Sequence, residues 1–156
     1  MRFLFLASLG LLAAASACTT AVPGRQHAAF WRTNGYDHQG EQQGRWRTFF
    51  DEQHKQTRFT TGRYRHGRPV GHWRYYTPLG TLDHEERYRR DYSDITFYHP
   101  NGQVSQRGRA RVADEGTKLH YFWFGEWRKF SDTGRLVEID TYEKGRQVAS
   151  HPIQDM

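Results

Sequence analysis

Gly71-His72-Trp73-Arg74-Tyr75-Tyr76-Thr77-Pro78-Leu79-Gly80-Thr81-Leu82 is the stretch from which the fold can be read. Ring and polar residues alternate after Gly71, as in a strand whose two faces differ. Pro78-Leu79-Gly80 then supplies turn chemistry: proline starts the turn and glycine accepts a positive φ. Leu82 opens a return strand. The unit is a β-hairpin.

The same grammar recurs along the chain. Gly44-Arg45-Trp46 with Phe49 and Gly125-Glu126-Trp127 with Phe130 repeat the strand. Tyr98-His99-Pro100-Asn101-Gly102 and Phe130-Ser131-Asp132-Thr133-Gly134 repeat the turn, with Val104 and Leu136 in the place of Leu82. Tyr64-Arg65-His66-Gly67 and Tyr142-Glu143-Lys144-Gly145 add a shorter Tyr-x-x-Gly theme. The copy opening at Ser93 is degenerate, because Ile95 stands where the others have Trp. Ring-to-ring steps are 22 residues from Tyr76 to Tyr98 and 32 from Tyr98 to Phe130, so Arg107 to Lys118 is expected to form a longer hairpin or an insertion. Apolar residues at three-and-four spacing, which a helix needs, are missing after the first segment.

Trp and the later ring are three positions apart and fall on opposite faces of a strand. Trp46, Trp73 and Trp127 are therefore expected on one face and Phe49, Tyr76 and Phe130 on the other, each set stacking into a ladder. One hairpin could not hold itself together, whereas several in register could. The fold class expected is all-β, an elongated antiparallel sheet of repeated hairpins.

These copies resemble the MORN-repeat variant of YwqK-type antitoxin proteins, whose repeats read approximately Gly-x-Trp-x-x-Tyr-x-x-x-Gly-x-Leu. The resemblance covers roughly Gly40 to Val148. It implies a sheet of hairpins with no catalytic residues, and some members of that family bind and neutralise a toxin.

The N-terminus reads as an address. Arg2 is followed by an apolar run from Phe3, and Ala15-Ser16-Ala17 precedes Cys18. This is the pattern of a secretory signal peptide, too short and Ala-rich for a membrane span. Cys18, the sole cysteine, stands directly after the cleavage pattern and resembles the lipidated cysteine of bacterial lipoproteins, although Ala15 replaces the favoured Leu. The lipoprotein resemblance implies attachment to the cell envelope, and to the periplasmic face of the outer membrane in a host with two membranes. The expected organisation is signal peptide 1–17, lipid-anchored tether 18–39, repeat domain 40–148 and disordered tail 149–156. Phe30-Trp31 in the tether is expected to dock on the first hairpin.

With 23 Lys and Arg against 17 Asp and Glu, the chain carries +6, and loss of Arg2 with the leader still leaves it basic. A basic surface attracts nucleic acid, anionic lipid or acidic protein. Export argues against nucleic acid. Trp, Tyr and Phe replace aliphatic residues and interleave with Arg, which suits a thin structure of rings packed on rings and arginine stems.

No catalytic constellation is present. Ser93, Ser105 and Ser131 lack a nucleophile elbow, and each glycine reads as a turn rather than part of a phosphate loop. The nine histidines lie outside ligand-like spacing; His66 and His72 read as solvated, so neither metal nor cofactor is expected. Asp83, Glu85 and Glu86 beside Arg87, Arg89 and Arg90 read as cross-strand charge pairing on a solvated face. The remaining candidates for a site are Trp46, Trp73, Arg74, Tyr76, Trp123, Trp127 and Phe130, where basic and aromatic residues interleave as in cation–π recognition. The function expected is a non-enzymatic, lipid-anchored module that binds a protein, such as a toxin. The alternative is an envelope-structural role on peptidoglycan, anionic lipid or lipopolysaccharide.

Overall fold

A computed structural model describes residues 33–114 and 119–154. The signal peptide, Cys18 and Phe30-Trp31 lie outside the described residues. Ten strands follow one another: β1 (Gly35–Tyr36), β2 (Gln42–Phe49), β3 (Arg58–Arg65), β4 (Arg68–Tyr76), β5 (Leu82–Tyr88), β6 (Ser93–Tyr98), β7 (Val104–Asp114), β8 (Leu119–Phe130), β9 (Leu136–Glu143) and β10 (Arg146–Pro152). Each pairs antiparallel with the next, giving one ten-stranded sheet in sequence order. The described residues contain no helix.

Two turn types recur among the reversals. In Thr77–Thr81, the Gly80 N–H donates to the Thr77 carbonyl at 2.9 Å, and the Thr77 N–H donates to the Thr81 carbonyl at 2.9 Å. His99–Gln103 and Ser131–Arg135 repeat both bonds. Gly80 sits at φ 82°, the left-handed conformation that closes such a turn with a bulge. The Tyr-x-x-Gly segments make the tighter type, with positive φ at both central residues of His66-Gly67 and Lys144-Gly145.

The tryptophans follow a second rule, and here one expectation fails. Gly71 and Gly125 belong to no turn: they lie inside β4 and β8, each at φ 68°. At each, the ladder to the preceding strand slips, between Thr61 and Arg63 and between Arg107 and Arg109. A bulge of this kind re-aims the following side chain. Trp73 is thereby laid over Gly62, and Trp127 over Gly108. The indole N–H of Trp73 then donates to the Arg63 carbonyl and that of Trp127 to the Arg109 carbonyl, both at 3.2 Å.

The core is a band of rings along that one face. Trp46, Trp73 and Trp127 are buried, as are Ile95 and Ala110. Edge-on contacts run from Tyr36 to Trp46, Trp46 to Tyr64 and Tyr64 to Trp73. Farther along, Tyr75 stacks on His84, and Trp123 stacks on Trp127 with centroids 3.7 Å apart. Ile95 takes the place of a tryptophan because Trp127 already reaches over Gly108, its cross-strand neighbour.

Three further differences have physical causes. Glu86 is not solvated: it stands opposite Trp73 on the ring-packed face, buried, and accepts from the Tyr121 hydroxyl at 3.2 Å. The sheet exceeds both expected boundaries. β1 begins at Gly35 within the expected tether, and β10 runs to Pro152, past Val148, held by backbone pairing to β9 rather than by apolar residues. The second ladder of rings does not form. Tyr76 on β4 and Phe130 on β8 are four strands apart, about 19 Å at the spacing of paired strands. Glu85 on β5, Tyr98 on β6 and Arg107 on β7 lie between, Tyr98 bonded to Glu85 and Arg107 over Phe130.

Candidate functional site: an arginine face

Because alternate residues of a strand share a face, Arg-x-Arg sequences flanking the ring-side residues all project to the opposite side. Arg45-Trp46-Arg47 on β2, Arg63-Tyr64-Arg65 on β3 and Arg107-Gly108-Arg109-Ala110-Arg111 on β7 build that face. Cross-strand register sets Arg45 directly opposite Arg63, and Arg107 directly opposite Arg128. Like charges in such positions destabilise a sheet.

The two halves of the face handle this charge differently. On β4 to β8 and the turn after β5, six arginines are engaged, while Arg68 and Arg87 are exposed without an acidic or aromatic partner among the described residues. Arg74 Nε donates to Glu85 Oε1 at 2.6 Å, Arg89 to Asp94 at 2.9 Å and Arg128 to Glu126 at 3.0 Å. Arg107 lies over Phe130, Arg109 over Tyr92 and Arg111 over Phe124, at 4.8–5.6 Å from the ring centroids. Burial pushes the Glu85 carboxyl up, yet hydrogen bonds from Arg74 and the Tyr98 hydroxyl outweigh it and hold the group below its ordinary value.

On β2 and β3 the situation is reversed. Arg45, Arg47, Arg58, Arg63 and Arg65 are exposed, and none has an acidic or aromatic partner among the described residues. They border an open groove that Thr61, His72 and Tyr76 complete. At the far end of the same two strands, Phe50 and Phe59 touch with centroids 4.9 Å apart, each 45% exposed.

The expected site residues divide between the faces. Trp46, Trp73 and Trp127 are core, with Trp123 half-buried against Trp127. Arg74 and Tyr76 border the arginine groove, Arg74 with its charge engaged by Glu85. Phe130 lies beneath Arg107 in the other half of the face. Of the unpaired five, Arg45 and Arg47 are visible in the sequence as the basic residues interleaved with Trp46, whereas Arg58, Arg63 and Arg65 are not singled out there; the two-residue spacing of Arg63 with Arg65 is the signal that carries that pair.

Such a groove can hold a surface bearing carboxylates or phosphates through charge-assisted, bidentate contacts. Among the described residues no serine, histidine or carboxylate set in it forms an acid–base or nucleophile pair. No protein-family model matches the chain, and neither a curated protein nor a solved structure does so.

Proposed function

We propose that this chain is a non-enzymatic envelope lipoprotein, anchored through Cys18, that binds a protein partner of the antitoxin or immunity type. Its working surface is the arginine groove of β2 to β4. The observation that carries the reading is the set of five exposed arginines without partners, including the directly opposed Arg45 and Arg63. An opposite charge at either position would favour the sheet by about 0.2–1 kcal/mol. Retaining two positive charges there is explained by an external acidic partner. Phe50 and Phe59 support a protein partner, since aromatic residues beside arginine are the usual anchors of protein interfaces. The MORN-variant resemblance belongs to the same proposal, supported by the recurrence of one turn and of the Trp-over-Gly contact.

A second reading has its own support. Arg107, Arg109 and Arg111 continue the basic face across β7, and a broad basic surface also suits peptidoglycan, anionic lipid or lipopolysaccharide. Binding of the full-length protein to isolated sacculi and to anionic vesicles separates the two. The protein-binding reading expects weak, salt-abolished binding to both, and an acidic protein retained by wild type but lost from Arg45→Glu/Arg63→Glu. Tight vesicle or sacculus binding with no such protein would favour the envelope-structural role.

A further inference from the structure

Away from the arginine face, the turn joining β1 to β2 meets the turn joining β3 to β4. Asp37 and Glu41 come from the first and His66 from the second, and one ligand atom of each lies within 4.8 Å of the others. Asp37 is held firmly: its Oδ1 accepts the backbone N–H of Gln39 at 2.9 Å and of Glu41 at 3.0 Å, leaving Oδ2 to face His66 Nδ1 at 3.1 Å. Its side chain is only 9% exposed. The Glu41 carboxylate rests against the turn at Gly67, and no lysine or arginine pairs with it among the described residues. In a chain of net charge +6, these two neighbouring carboxylates thus have only an imidazole as a side-chain partner among the described residues.

The turns are locked by bonds that do not use these atoms. The Gly67 N–H donates to the Gln42 carbonyl at 3.0 Å, and the His66 N–H donates to Gln43 Oε1 at 2.9 Å. The His66 backbone is therefore placed independently of the ring's contact with Asp37. Zinc takes nitrogen and carboxylate ligands at about 2.0–2.1 Å in a tetrahedron, which sets neighbouring ligand atoms about 3.3 Å apart. The 3.1 Å separation of Asp37 Oδ2 and His66 Nδ1 is close to that value. The bonds that Asp37 Oδ1 accepts are the outer support a ligating carboxylate normally has.

We propose that Asp37, Glu41 and His66 form a zinc-binding site, with the fourth position left to water, that fastens the two-residue strand β1 to the rest of the sheet. The imidazole selects zinc over magnesium and calcium, which prefer oxygen alone. This site is independent of the arginine groove and of the function proposed for it.

The test is calorimetric titration of zinc into the chelator-stripped full-length protein, repeated on two variants. Asp37→Asn retains an oxygen for the backbone N–H groups, and His66→Asn tolerates the positive φ at that position. One zinc equivalent should bind to wild type, unaffected by excess magnesium or calcium. Each variant should bind at least about tenfold more weakly, while His84→Gln, which removes a histidine paired elsewhere with Asp83, should bind as wild type does. Cobalt(II) gives a readout that requires no variant: the loaded wild type should show the intense visible bands of a four-coordinate site. Absence of zinc binding, unchanged affinity in both variants, or a six-coordinate cobalt spectrum would overturn the proposal.

Discussion

Trp127 lies flat over Gly108 of the neighbouring strand, so that a methyl group on Gly108 would collide with the indole ring. Trp73 stands in the same relation to Gly62. A single-layer sheet has no second layer to cover its rings, and a side-chain-free position lets an indole sink against the backbone. Gly108→Ala and Gly62→Ala should each destabilise the protein by about 1–3 kcal/mol through overpacking. Urea unfolding followed by Trp fluorescence checks this, with midpoints equal to wild type as the contrary result.

Asp140 stands opposite Trp127 and is fully buried, its Oδ2 2.7 Å from Lys129 Nζ and its Oδ1 accepting from Gln147 at 2.9 Å. Replacing it by alanine strands part of that network and should cost about 2 kcal/mol. Burial raises the Asp140 carboxyl, but the bond from Lys129 prevails and holds it below 3.8; Glu85 is likewise held below 4.5. Groups depressed in the fold add stability above their unfolded values and lose it as pH falls through the folded ones. Thermal stability should therefore drop below about pH 4, and Asp140→Asn should flatten that drop.

An opposite dependence is expected in alkali. Burial raises the Tyr75 hydroxyl to about 12 and pushes Tyr88 and Tyr121 upward as well, with the Glu86 carboxylate adding to the effect on each. The stability these groups contribute is complete below their ordinary value of 10.0 and is lost as pH rises toward the folded values. Spectrophotometric titration should show a subset of tyrosines ionising only as near-ultraviolet circular dichroism collapses. A single transition for all tyrosines at their ordinary value, with the signal intact, would exclude the coupling of Tyr75, Tyr88 and Tyr121 around Glu86.

Charge at the groove should govern association more than folding. Arg45→Glu should leave thermal stability unchanged or slightly raised, because Arg63 then faces an opposite charge across the β2–β3 pair. It should nevertheless weaken partner binding by about tenfold, mainly through the association rate. Reduced stability with binding intact would reverse the assignment of roles.

Much of this architecture is legible in the chain because it is local. Pro78-Leu79-Gly80 and His66-Gly67 declare their turns, and the spacing of Trp73 and Tyr76 places them on opposite faces. What escapes a linear reading is set by register between strands. Nothing beside Gly62 announces that Trp73, eleven residues on, will cover it, and nothing local to Glu86 or Asp140 shows that each faces a tryptophan. The interleaving of Arg with rings is visible, but assigning the rings to recognition overlooks that a one-layer sheet needs them for its core. β10 is missed for a related reason: Ser150, His151 and Pro152 lack strand character, and Pro152 is acceptable only because the strand lies at an edge.

A photo-crosslinking residue placed at Thr61, between the arginines, or at Val112, 53% exposed on the ring-packed side, separates the two faces in living cells. The assignment of work to the arginine face predicts a discrete protein adduct from position 61, lost with Arg45→Glu/Arg63→Glu, and none from position 112. Adducts from position 112 alone would contradict it.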